Sequence, residues 1–198
     1  MITLQGFTSL AAQSVTAPRE VARLLLALPL SREAVGLCLA LVLVLNTLVF
    51  SLGQLMSGPP PDGMALLLSS PVAFAGLLGG SMIALILSLY WTGRGLGGRA
   101  SLMQVTLLVT WLQALRVIVQ IALLAIVPLM PALGGLVMIA ASALGIWILV
   151  NFLHVAQETP TLGRAALMLV LSVVGMALGL TLIFSLVGLS PQGMTANV

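Results

Sequence analysis

Lysine is absent from this chain, and cysteine, histidine and tyrosine occur once each. A lone Cys38 leaves no intramolecular disulfide, and one Cys with one His154 cannot assemble a zinc site. The four acidic residues, Glu20, Glu33, Asp62 and Glu158, are scattered. A membrane enzyme would need His, Asp or Cys clustered at an interface, and no such cluster is visible, so no catalytic residue, cofactor or metal is expected. Charged residues make up only 6% of the chain, and the seven basic ones are all arginine. They form no cluster and have no interleaved aromatics, so the net charge of +3 does not indicate nucleic-acid binding.

What is abundant is apolar. The 198 residues are 61% hydrophobic, and the mean hydropathy is +1.25. A water-soluble fold of this size could not cover so much apolar surface, whereas a lipid-facing leucine needs no partner. Five long apolar runs lie at 34–56, 71–91, 102–127, 133–153 and 165–187. Each reaches the roughly 20 residues that a helix needs to cross the hydrocarbon core. They are continuous rather than alternating, which excludes a barrel and leaves helices. The first run exceeds the apolar core of a signal peptide and is read as a permanent helix. The expected fold is therefore an all-α membrane protein: a 34–188 transmembrane domain, a 1–33 N-terminal segment and a short 189–198 tail.

Arginine placement predicts the orientation. Arg19, Arg23 and Arg32 precede the first run, Arg94 and Arg99 separate the second and third, and Arg164 separates the fourth and fifth. The alternate connections, 57–70, 128–132 and 188–198, have none. The positive-inside rule then puts the N-terminus in the cytoplasm and the C-terminus outside. Tyr90, Trp91 and Phe152 fall near the same predicted interface, where amphipathic rings prefer to sit. The run from Ser57 through Pro59, Pro60 and Pro61 to Gly63 reads as a stiff external turn, and Pro128 and Pro131 bracket a tight hairpin. Gly188, Pro191 and Gly193 end the last helix.

The N-terminal segment contains a helix of its own at about 17–28, with Thr16 at its cap, Pro18 in its first turn and Pro29 as its stop. Val21, Leu24, Leu25 and Leu28 share a face. Such a helix is amphipathic and interfacial, lying in the headgroup plane or packed on the end of the bundle. Ser31 caps the first transmembrane helix, with Glu33 in its first turn.

Arg116 is the sharpest anomaly, because it falls near the middle of the third run. An arginine there costs about 2.5 kcal/mol or more, so it should face protein or water. Thr106, Thr110, Gln113 and Gln120 share its side of the helix within about 120° of arc. Asn46 and Asn151 are candidate partners from the first and fourth helices. Three readings stand: a polar, lipid or anion site, a packing device satisfied by amides and carbonyls, or pairing with a carboxylate of another protein. Arg19, Arg23, Arg94 and Arg99 are candidate contacts on the cytoplasmic face, for anionic headgroups or a soluble partner.

Weaker signals complete the survey. Gly93-Arg94-Gly95-Leu96-Gly97-Gly98 matches G-x-G-x-x-G, but a transmembrane helix precedes it and no acid follows about 20 residues on, so it reads as a glycine-rich hairpin. His154 and Glu158, four apart, read as a surface pair rather than a metal or proton-relay pair. Gly175 and Gly179 with Ser172, and Gly76 with Gly80, suggest close helix contacts, and Gly135, Ala141 and Gly145 a looser set.

Taken together, Pro18-Arg19-Glu20-x-x-Arg23, Tyr90-Trp91-Thr92-Gly93-Arg94-x-x-Gly97-Gly98, and a third helix bearing Gln113 and Arg116 resemble the bacterial Yip1 family. The resemblance runs from about residue 16 to 188. It implies a five-helix integral membrane protein with no established reaction. Eukaryotic members of the wider family act in the early secretory pathway with small GTPases, largely through long cytoplasmic N-terminal regions. Only about 33 residues stand there in this chain, without the D-L-Y-G-P motif of those relatives, so GTPase binding is not implied. The expectation is a non-enzymatic, multi-pass inner-membrane protein of a bacterium, acting in membrane organisation or as an accessory or scaffold subunit. Its partners would be the lipid bilayer, including anionic lipids, and a membrane-protein partner or a second copy. The alternative is a small permease or lipid- or anion-handling protein using the Arg116 stripe.

Overall fold

The computed structural model describes residues 4–57 and 70–186, so the proline-rich turn after Ser57 and the 189–198 tail lie outside the described residues. Seven helices follow one another among them, with no strand: α1 (Leu4–Thr16), α2 (Pro18–Ala27), α3 (Arg32–Ser57), α4 (Pro71–Gly95), α5 (Leu102–Leu129), α6 (Pro131–Ala156) and α7 (Leu162–Leu186). Helices α3 to α7 are each long and apolar enough to cross a bilayer.

Local chemistry sets most of the boundaries. Pro71 and Pro131 occupy the first turns of α4 and α6, where a missing N–H costs nothing. Ser101 opens α5 with a reciprocal capping box: its hydroxyl accepts the Gln104 N–H, and Gln104 Oε1 accepts the Ser101 N–H at 2.8 Å. Helix α5 runs through Pro128 to Leu129, and Met130 alone separates it from α6. Gly134 lets the two helices meet just past that turn, since a Cβ there would press on Val127.

Helix α5 is the hub, packing against α2, α3, α4 and α6, while α7 closes the bundle against α4 and α6. One α4–α7 contact is polar: Ser88 Oγ donates to the Ser172 carbonyl at 2.6 Å. Ser172 is fully buried, as its small size would suggest, but Gly76 and Gly80 face open space and make no close contact.

Among the described residues, burial is concentrated in one half of the bundle. On α3 and α5 the last buried residues are Asn46 and Val117, and on α7 the last among the described side chains is Ser172. Helices α4 and α6 run the opposite way, and their buried residues begin at Met82 and, Gly134 aside, at Ile148. All of this lies toward the end where Arg19, Arg94, Arg99 and Arg164 gather. The core there joins Val21 and Leu25 of α2 to Leu89, Val105, Leu108, Phe152 and Leu169. Phe152 is 0% exposed, so it is a core residue rather than an interfacial ring.

The N-terminal helices belong to the bundle. Helix α2 turns Pro18, Val21, Ala22 and Leu25 inward and leaves Leu24 and Leu28 exposed, so it is an amphipathic helix seated on the bundle's end. Helix α1, which sequence patterning did not reveal, sets Phe7 edge-on to Trp111 at 5.4 Å. The Trp111 Nε1–H donates to Ser14 Oγ at 2.9 Å, and Ser14 donates to the Leu10 carbonyl.

Candidate functional site

Two helix ends face each other at the arginine-bearing end, and both close as Schellman turns. At the end of α4, Gly98 N–H reaches the Gly93 carbonyl and Gly97 N–H the Arg94 carbonyl, with Gly97 at φ +80°. At the end of α6, Thr159 N–H reaches the His154 carbonyl and Glu158 N–H the Val155 carbonyl. Glu158 takes the left-handed position with φ +50°, where glycine is usual.

Gln157 joins the two turns. Its amide lies across Gly93 and Gly98, where a Cβ on either glycine would overlap it, and its Oε1 accepts the buried Ala100 N–H at 3.1 Å. The glycines of the G-R-G-L-G-G segment therefore serve one left-handed turn and a seat for Gln157. Around them, Arg164 donates to the Leu96 carbonyl at 2.7 Å, and Arg99 pairs with Glu158 at 3.3 Å. That pair is largely solvated, so it contributes about 0–1 kcal/mol.

The Pro18-Arg19-Glu20-x-x-Arg23 segment docks on α6. Arg19 Nε donates to Asn151 Oδ1 at 2.8 Å, and Asn151 Nδ2 donates to the Trp147 carbonyl. His154 Nδ1 bonds the Thr159 hydroxyl at 2.8 Å. His154 and Glu158 are thus not a pair: the helix has ended between them, and each has a different partner. Among the described residues no group of three or more His, Cys, Asp or Glu gathers.

Of the four candidate contact arginines, Arg19 and Arg99 are held within the chain, and Arg94 lies over the Tyr90 ring at 5.6 Å. Arg23 is exposed with no hydrogen bond or ion pair among the described residues, and so is Arg32, which the contact set did not include.

The mid-membrane candidates do not form one cluster. Asn151 is spent on Arg19, and buried Asn46 donates back to the Val42 carbonyl at 2.8 Å. Thr110, also buried, donates to Thr106, and Thr106 to Leu102. What remains is Arg116 with its two neighbours on α5. Arg116 is exposed on the bundle surface with no hydrogen bond or ion pair among the described residues. Gln113 and Gln120 each enclose an Oε1 that has no partner among the described residues.

The Yip1 domain matches residues 12–183, most of the chain. The chain belongs to the Yip1 family. The Yip1 domain therefore takes in α2 to α6 whole, the last turn of α1 and nearly all of α7, and with them both Schellman turns and the Arg116 stripe. No curated protein and no solved structure matches the chain.

Proposed function

We propose that this Yip1-family protein is a non-enzymatic accessory or scaffold protein of a bacterial inner membrane. Its arginine-bearing end faces the cytoplasm and makes the contacts. The observation that carries this reading is the build of that end. Arg19, Gln157 and Arg164 tie four helices into one platform, while Arg23, Arg32 and Arg94 project from it. Six of the seven arginines and three of the four acids sit there, so the whole net charge of +3 resides at this end. A rigid cationic platform at the inner face attracts anionic headgroups and acidic surfaces of soluble proteins alike.

The test is mild-detergent purification of the tagged full chain, with mass spectrometry of bound proteins and lipids, beside the triple variant Arg23→Ala, Arg32→Ala, Arg94→Ala. A recurrent protein partner that the triple variant loses, with thermal stability kept, is the expected result. The same partners on both proteins, or none on either, would refute the reading. The permease or lipid- and anion-handling alternative draws on one observation: Arg116 is exposed, with no hydrogen bond or ion pair among the described residues.

A further inference from the structure

Arg116 stands 14 residues after Leu102 and 13 before Leu129, about 20 Å from either end of α5 by helical rise. A guanidinium at that depth holds five donors and no acceptor, and hydrocarbon offers it nothing. Nothing among the described residues answers it. The one acid within the described spans, Glu33, sits in the first turn of α3, a full helix-half away. The described spans of a second copy bring no carboxylate to mid-membrane either, since their one acid, Glu33, lies at a span's end.

The surroundings hold other unanswered groups. Beyond Val117 no side chain of α5 is buried, so Arg116 marks the level where the packed half of the bundle gives way to the open half. Two further polar atoms at this level are unanswered, Oε1 of Gln113, itself 9% exposed, and Oε1 of Gln120. On a helix these positions, three before and four after Arg116, share its face. The group thus lacks an anion on one side and a donor on the other. A phosphate with its bound water supplies both once the two glutamine side chains turn their enclosed oxygens toward it: its oxygens match the guanidinium fork, and the water donates to the amide oxygens.

We propose that Arg116, flanked by Gln113 and Gln120, is a phosphate site that draws the headgroup of an anionic phospholipid, with its water, into the open half of the bundle. Lipid is the source because Arg116 opens onto the bundle surface, where phospholipid is the abundant anion. Local thinning and water defects are also how bilayers accommodate such an arginine. The inference rests on the chain spanning a bilayer and not on the accessory role.

The test uses the full chain in vesicles of phosphatidylcholine containing phosphatidylglycerol, with arginine guanidinium nitrogens labelled with ¹⁵N. Wild type, Arg116→Leu and Arg116→Lys are compared by native mass spectrometry for retained phosphatidylglycerol and by ³¹P dephasing of the ¹⁵N signal. Retention should fall roughly ten- to a hundredfold in Arg116→Leu, as for loss of a charge-assisted hydrogen bond. Arg116→Lys, which keeps the charge without the fork, should fall between. The dephased signal missing from Arg116→Lys assigns the phosphate contact to Arg116 even where Arg116→Leu fails to fold. Unchanged lipid retention in a folded Arg116→Leu, or no difference in dephasing, overturns the site. Inorganic phosphate in lipid-free detergent is the second arm: if it protects wild type, and not Arg116→Leu, from heat as well as phosphatidylglycerol does, the lipid source is overturned. A co-purified protein that cross-links through a carboxylate at Arg116 overturns the phosphate.

Discussion

A glutamine at a helix C-cap has an amide free to turn back on its own helix or to reach across to another. Gln157 reaches across, lying on Gly93 and Gly98 and accepting the Ala100 N–H. Removing it leaves that N–H buried without a partner, so Gln157→Ala should cost about 1–3 kcal/mol. Gly93→Ala gains about 1 kcal/mol of helix propensity, but its new methyl displaces the amide, an overpacking cost of about 1–3 kcal/mol. The double variant removes that conflict, and its loss should fall short of the sum by about 0.5–3 kcal/mol. Thermal unfolding of the four proteins in one detergent gives the cycle, and strict additivity would disprove the contact. Glu158 offers the opposite case. Glu158→Gly gives up a solvated ion pair but relieves a left-handed backbone of about 1–2 kcal/mol. Its melting temperature should match or exceed that of wild type. Neither residue's role was legible in the sequence: Glu158 read as a surface pair with His154, and Gly93-x-Gly95-x-x-Gly98 was visible as a hairpin, but its partner lies on the loop after α6. No local pattern links positions 57 residues apart.

At the scale of helices, the five spans were legible because run length sets each of them locally, while first-turn prolines and the serine cap of α5 fix where three of them begin. Differences lie at the ends. Helix α4 continues past 91 to Gly95 because its Schellman turn, not the onset of glycines, stops it. Helix α1 was illegible for a different reason: residues 4–16 break their Leu, Ala and Gln with Gly6, Thr8, Ser9 and Ser14 and carry no acid in the first turn, and the helix is held by the contacts of Phe7 and Ser14 with Trp111. The partner of Arg19 was equally hidden, since Asn151 looked like a candidate for Arg116. Arg19→Ala should therefore loosen α2 rather than affect the middle of the membrane. A hydrogen bond from a charged donor is worth about 1.5–3 kcal/mol, so amide exchange in Pro18–Ala27 should rise roughly tenfold or more. Exchange unchanged there would mean the apolar face of α2 suffices to hold it. Ser14→Ala tests α1 in the same way, through a shift in Trp111 fluorescence as its Nε1–H loses its acceptor.

For the molecule as a whole, the uneven packing decides what each half of the bundle is for. Apolar side chains of the arginine-bearing half bury one another, whereas many of the other half, such as Leu55, Leu129 and Leu136, are exposed and meet whatever surrounds the protein, the Phe50–Phe74 stack being a partly buried contact there. In lipid the second kind adds little to the folding free energy, because acyl chains replace each contact that packing would have made. A leucine truncation should then cost in proportion to its depth in the packed half. Leu108, 2% exposed, should lose about 2–5 kcal/mol as Leu108→Ala, while Leu136, 65% exposed, should lose no more than about 0.5 kcal/mol. Reversible unfolding in bicelles would compare them. The comparison also bears on partners, since a protein seated on the open half would make Leu136→Ala costly in native membranes though harmless in bicelles. Equal costs in both settings would leave lipid as the neighbour of that half, which is the environment the phosphate site at Arg116 requires.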